Sequence, residues 1–408
     1  MLEGRVLLEA PERFLPKLPG SGVFELDLDR SKVVQPWALA GLAALARADG
    51  KRPARVVHHG ASDASRFAHA IGFDDVVAGR IFGGVLEAGR TVPMLRFSGF
   101  RGLEQAASKV ARLVLPKPGD EDSRLVVQYV IVELLRNVVQ HSRDPLGGVV
   151  VAQRMGERQR YASPCVQVAV ADAGLGIFET MRGNHPDLTD ARAALEKSLR
   201  PHISGSFEEG LSGSGDNAGM GLFFISEMAK LAVGRLLLAS RAAALEIRGN
   251  PRNVERPTIG FVKPAGVGYP GTLVAFELPL GKVLDYQGLI EAINQRARER
   301  SPQRAVYRWV RFDEVPAGAR RFLVSAAAED TTAAQVLADR ELVPRLLQGE
   351  AVVLDFSGLE ICTQSFLHAL LFRPIRIAWA ERRALHVVNA DPAVRSGVET
   401  VQQYALGG

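Results

Sequence analysis

Two side chains able to handle a divalent cation and a proton, Glu133 and Asn137, lie four residues apart in "VELLRNVVQHS" (132–142). A spacing of four stacks side chains on one face of a helix. His141 continues the spacing, and Tyr129, Arg136 and Gln140 fall beside it, while Leu125, Val126, Val130, Val132, Leu134, Leu135, Val138 and Val139 cover the rest. A helix that is apolar over most of its surface is normally buried. The polar stripe must then meet a partner network, a water-filled cavity or a ligand. For His141 the plainer reading is a group at the helix end.

Three more stretches carry chemistry. "DAGLGI" (172–177) directly follows an apolar alternating run. An aspartate at a strand end can accept a hydrogen bond from an exocyclic amine, and Gly174 and Gly176 let a planar base approach the backbone. "GSGDNAGMGLFFIS" (213–226) sets glycines, Gly219 and Gly221 among them, just before an apolar helix. Free N–H groups and the helix dipole there suit phosphates. "GTLVAFELP" (271–279) returns a strand with a small hydroxyl at Thr272. Lys197, Arg200 and Lys230 are the candidate phosphate cations, although charged residues of this kind are usually solvated.

The elements that must position these groups can be read from pattern. A helix is expected near 101–114, then a long helix opened by Asp120, Glu121, Asp122 and Ser123, where helix starts favour acidic and capping residues. "GGVVVAQRM" (147–155) and "CVQVAVAD" (165–172) read as strands, as do "RLLLAS" and "TLVAFELPL". Residues 180–221 are Gly/Ser-rich with one helix expected at 189–199, a length that suggests a lid or binding loop. The flanks look like weak copies of each other. "VFELDLD", "VVQPWALAGLAALA" and "ARVVHHGASDASRFAHAIGF" follow the same order as "AVVLDFS", "ICTQSFLHALLF" and "ALHVVNADPAVRSGVETVQQY". Each reads as a strand ending in Asp, then helix, strand and helix, a small α/β unit.

The chain has 408 residues, 47% hydrophobic, which suits two or three domains. A net charge of +5 favours anionic ligands without pointing to nucleic acid. The eight arginines of 296–321, around Tyr307 and Trp309, are diluted by Glu299, Asp313 and Glu314, so nucleic acid is not expected. Two cysteines without ligand spacing argue against a disulfide framework or zinc. Charges in "MLEGRVLLEAPERF" and the lack of a long apolar run lead to the expectation of a cytoplasmic protein with no membrane span.

A helical E-x-x-x-N, a strand ending in D-x-G-x-G, a glycine-rich stretch opening a helix and a closing G-T strand together resemble the GHKL-type ATPase family. Gyrase, a heat-shock chaperone, histidine kinases and mismatch-repair ATPases share that family. The resemblance covers residues 98–281. It implies an α+β sandwich of Bergerat type, within an α/β chain, whose mixed sheet is backed by helices. It also implies ATP and Mg2+ as cofactors, with Asn137 holding the metal and Glu133 as general base. Asp172 would take the adenine amine, flanked by Gly174, Gly176 and Thr272, with phosphates on Gly219 and Gly221.

"VVLDFSGLEICTQSFLHALLF" resembles the STAS (sulfate-transporter/anti-anti-sigma) family. There a serine in the turn accepts phosphate from an ATPase of the family above. Here Gln364 takes that place, with Ser365 one residue later and expected to cap the helix; the N-terminal copy has no hydroxyl there. The expected domains are 1–97 (STAS-like), 98–281 (ATP-binding) and 282–408 (linker plus STAS-like). The expected function is a bacterial-type regulator in which nucleotide and lid state control binding of protein partners, STAS-domain or sigma-factor regulators among them, with a homodimer also in view. The alternative is an anti-sigma-type serine/threonine kinase, or an ATPase, acting on a STAS partner. No H-[DE]-x-x-x-P dimerisation helix is present, which argues against an ordinary sensor kinase.

Overall fold

A computed structural model describes residues 4–18, 24–46, 54–57, 60–80, 92–156, 164–204, 219–281, 284–300, 309–327, 330–359 and 361–407. The chain is of mixed α/β class and divides into two compact units, residues 1–198 with 225–284, and residues 199–224 with 285–408.

The larger unit begins with short strands that pair in parallel. β1 (Gly4–Val6) runs beside β3 (Ser31–Val34), and β2 (Phe24–Asp27) beside β4 (Ala54–Val57). Helix α1 (Pro36–Leu45) lies between β3 and β4 in sequence, followed by α2 (Asp63–Ala70) and α3 (Phe73–Val77). Ser62 caps α2 by accepting from Ser65 N. Next come β5 (Leu95–Phe97), α4 (Leu103–Val114), α5 (Glu121–Asn137), β6 (Gly148–Met155) and β7 (Cys165–Asp172). After α6 (Ile177–Met181) and α7 (Ala191–Ser198), the chain leaves this unit and re-enters at Ile225, inside α8 (Gly221–Leu231). β8 (Arg235–Ser240), β9 (Ala243–Arg248), β10 (Thr258–Phe261) and β11 (Thr272–Pro279) complete it.

Seven of these strands form one sheet in the order β10-β9-β8-β11-β7-β6-β5. Every described ladder in it is antiparallel, which corrects the expected mixed sheet. The reason is connectivity. β8 and β9 are joined by a two-residue hairpin, and β11 inserts between β7 and β8, opposed to both. The longer crossovers that parallel neighbours need are not used for adjacent strands.

Both faces of this sheet are covered. Val149, Val151, Ala169, Ala171, Leu237, Ala239, Leu273 and Ala275 share one core with Trp37, Leu39 and the rest of α1, whose ten residues are all buried. Strand periodicity puts Val150, Val168, Val170, Leu236, Leu238, Val274 and Phe276 on the opposite face, where α5 packs. Gly148 lies on that side as well: a Cβ there would press on Val138 just beyond α5. The N-terminal segment, expected as a module of its own over 1–97, thus packs within the same unit as the large sheet. The link is polar as well as apolar. Gln167 of β7, wholly buried, accepts from Trp37 N (3.2 Å) and donates to Gln35 (3.2 Å).

The C-terminal unit holds α9 (Tyr286–Arg300), β12 (Val310–Phe312), β13 (Arg320–Leu323), α10 (Thr331–Leu337), α11 (Val343–Gln348), β14 (Val352–Asp355), α12 (Gln364–Ala380), β15 (Leu385–Val388) and α13 (Pro392–Gly407). Its sheet, ordered β12-β15-β14-β13, is parallel throughout. The similarity read between the flanks has a counterpart here. β2, α1, β4 and α2 follow in the order of β14, α12, β15 and α13, with the two strands of each crossover paired in parallel, but β3, paired with β1, stands between β2 and α1 and has no counterpart between β14 and α12. Asp27 and Asp355 end the first strand of each, and their Oδ1 atoms accept from the backbone N two residues on, at 2.9 and 3.0 Å. Such Asx turns stop a strand and redirect the chain. No helix among the described residues is long and apolar enough to cross a membrane.

Candidate functional site

α5 is α-helical through Asn137 and continues as a single π-turn over Val138–Ser142, ending at Arg143 with φ 51°. Glu133 and Asn137 therefore share a face. His141 does not continue it, because a π-turn closes on the fifth residue rather than the fourth. His141 is half-buried, and desolvation holds its imidazole down to about 4. Its carbonyl accepts from Thr180 Oγ1 (3.3 Å) in α6.

Glu133 is 2% exposed and its Oε1 lies 3.5 Å from Arg136 Nη1, one turn along. Arg136, equally buried, donates from Nη2 to Glu104 Oε1 of α4 at 2.6 Å. Two carboxylates thus share one guanidinium inside the α4–α5 layer. Asn137 is half-buried, and its Nδ2 is enclosed without a hydrogen-bond partner among the described residues. Such atoms are rare in folded proteins and call for a partner.

Asp172 ends β7. Its register partner is Thr272 on β11, and Thr272 in turn faces Ser240 on β8. Directly opposed residues share a face, so these three make a polar row across the sheet. Periodicity places the row on the α5 side, with Val168 and Val170. Asp172 is 2% exposed and its Oδ1 accepts from Gly174 N at 2.8 Å. Burial pushes its carboxyl up to about 7, against the opposing pull of the Gly174 N–H and with a further push from Asp144.

The glycines of "DAGLGI" are closed in by the protein itself, Gly174 by backbone and Gly176 by the side chains of Ser240 and Arg241. A Cβ on Gly174 would collide with the Ser142 carbonyl, which already accepts from Leu175 N (2.8 Å). Gly176 has φ +78°, and a Cβ there would meet Ser240 Oγ at 2.8 Å. Gly271 faces the Asp172 carbonyl equally closely. The loop is further fixed by groups that the sequence reading passed over. Asp144 Oδ2 accepts from Ala173 N (2.9 Å), Ser240 Oγ accepts from Ile177 N (2.9 Å), and the Arg241 guanidinium donates to the carbonyls of Gly174 and Leu175. A signal existed for Asp144, which sits in the "SRDPLGG" turn after the long helix. Nothing local marks Ser240.

Two of the three candidate cations are engaged by carboxylates. Lys197 donates to both oxygens of Asp187 (2.9 and 2.8 Å), and Lys230 to buried Glu227 at 2.7 Å. Arg200, which is exposed, falls in the C-terminal unit with Gly219 and Gly221. Gly219 has φ +63°, and a Cβ there would lie 2.8 Å from the Ile203 backbone; Gly221 is the first residue of α8. Residues 205–218 of the glycine-rich stretch lie outside the described residues.

In the C-terminal unit the helix cap is Thr363, whose Oγ1 accepts from Phe366 N at 3.2 Å. This corrects the expectation that Ser365 caps α12; Ser365 is half-buried in its first turn. Gln364, expected at the acceptor position of the resemblance, is buried, and its Nε2 donates to Gly397 O (3.4 Å). Among the described residues no group of three or more His, Cys, Asp or Glu is arranged to hold a metal.

Comparison with family models, with curated proteins and with solved structures returns no match for this chain.

Proposed function

We propose that the chain is an ATP- and Mg2+-binding regulator whose nucleotide state controls the binding of protein partners by its STAS-like parts. The observation that carries this reading is the buried Asp172 carboxyl at the end of β7. It is fixed by a backbone N–H and aligned with the Thr272 and Ser240 hydroxyls on the face where α5 lies. An aspartate so placed accepts a hydrogen bond from an amine, and the Thr272 hydroxyl beside it suits a purine edge, while the Ser240 hydroxyl is taken by Ile177 N and Gly271 O. The enclosed Asn137 Nδ2, without a partner among the described residues, calls for an acceptor such as a phosphate oxygen, and a metal-holding role would fall to Asn137 Oδ1. Mg2+ is commonly held by few protein oxygens together with phosphates and water, so a large ligand cluster is not required. Bound, the metal would neutralise phosphate charge.

The second reading is a serine/threonine kinase or ATPase. It is favoured by Glu133, one turn before Asn137, whose carboxylate is oriented by Arg136. A carboxylate held this way can take a proton from water or a hydroxyl. The regulator reading stands first because Gln364 carries no hydroxyl where the acceptor is expected. γ-Labelled ATP separates the two. Label on protein means kinase and free phosphate means ATPase, and Glu133→Gln should then lower the rate by roughly 10²–10⁴-fold while ATP binding is kept. With neither product, a change in the protease sensitivity of 180–221 on adding ATP supports the regulator.

A further inference from the structure

Residues 199–204 and 219–224 pack with the C-terminal unit, although the segments on either side of them belong to the larger one. The two stretches are joined: Ile203 N donates to Gly219 O at 3.2 Å, and Gly219 has a backbone that only glycine adopts readily. The residue before Ile203, His202, has φ 62° and places its ring 4.8 Å from that of Tyr404 on α13. It is half-buried, and desolvation followed by the neighbouring His368 holds its imidazole down to about 4. The Tyr404 hydroxyl lies 2.9 Å from His368 Nδ1 and is hydrogen-bonded to Gln364. Gln364 follows the Thr363 cap, and His368 is one turn further along α12. The rings of His368, Phe372 and Tyr404 stack.

A run of contacts therefore leads from Gly219 through Ile203, His202 and Tyr404 to the start of α12, where a STAS module would present its acceptor. We propose that this run links the 199–204/219–224 arm to the Thr363–His368 turn, so that a change at one end alters the other. Its use in signalling, with nucleotide at one end and a protein partner at the other, rests on the function proposed above. Tyr404 is the central member because its one hydroxyl meets groups from two positions of α12. Removing it takes one hydrogen bond from buried His368 and one from buried Gln364. Coupling of this kind is reciprocal, so a change at Tyr404 must be felt in the arm and a change at His202 in α12.

Amide hydrogen exchange of the full chain tests the link. Without ligand, His202→Ala should speed exchange over residues 361–372, and Tyr404→Phe should speed it over 199–204, each by about fivefold or more, the lower end of ordinary couplings. Tyr404→Phe keeps the ring, and circular dichroism checks that both variants fold. If His202→Ala unfolds the chain, Tyr404→Phe alone decides. Effects confined to each variant's own segment overturn the link. With Mg–ATP, the wild type should gain protection over 361–368 and Tyr404→Phe should not. A wild type that binds Mg–ATP without such protection also overturns it. A wild type that does not bind Mg–ATP removes the nucleotide reading, and the ligand-free exchange still decides the link.

Discussion

Arg136 holds Glu133 from one turn away, its Nη1 3.5 Å from the Glu133 carboxylate, while its other amine binds Glu104 at 2.6 Å. The same side chain thus joins α4 to α5 and orients the proposed base. Removing one partner of a buried ion cluster leaves charges without compensation. Arg136→Leu should cost about 3–5 kcal/mol of stability, read by urea denaturation. A loss below about 1 kcal/mol would mean the cluster is not held together in solution.

Gly174 and Gly176 are closed in by the Ser142 backbone and by the Ser240 and Arg241 side chains, respectively, rather than left open. Gly174→Ala forces a methyl into the Ser142 carbonyl, and Gly176→Ala strains a φ of +78°. Each should destabilise at or beyond the upper end of the roughly 1–3 kcal/mol typical of overpacking. Gly183, whose Cβ would meet nothing within 4 Å, serves as the control, and Gly183→Ala should be near neutral. Equal melting temperatures for all three variants would contradict the described loop.

Much of this frame is legible in the sequence. β7 and β8 have the bounds at which "CVQVAVAD", on its alternation, and "RLLLAS", on its short apolar run, read as strands. The expected helix at 189–199 is found at Ala191–Ser198. What escaped was non-local. The pairing of Arg136 with Glu104 spans 32 residues and that of Trp37 with Gln167 spans 130, so no window of periodicity contains either. The π-turn after Asn137 also leaves no trace, since Val138 and Val139 fit an α-helix equally well. The glycines of "DAGLGI" signalled close approach, but not that the approaching group is Ser142.

Asp172 sets a pH dependence with a definite sign. Its folded value of about 7 lies above the ordinary 3.8, so its contribution to stability is present below about 4 and lost as pH rises through about 7. An amine donor favours the ionised form. Mg–ATP affinity should therefore rise with pH across about 6 to 8 and level off, and Asp172→Asn should flatten the profile. Parallel profiles in wild type and variant would remove Asp172 from the site.

His141 and His202 act in the opposite direction. Both are held near 4 by burial, below the ordinary 6.5, so both are neutral in the folded chain at pH 7. The unfolded chain binds protons first on acidification, and stability falls as pH drops from about 6.5 towards about 4. Guanidine denaturation at pH 7 and pH 5 should show this loss, reduced in His141→Gln and His202→Gln. An unchanged loss in both variants would assign it to other groups.

The most direct test is calorimetric titration of Mg–ATP into the full chain and into its Asn137→Ala and Glu133→Gln variants. Saturable binding by the wild type, its magnesium dependence lost in Asn137→Ala and retained in Glu133→Gln with the fold intact, is expected. Binding that is absent from the wild type, or unchanged by Asn137→Ala, would contradict the proposed nucleotide site.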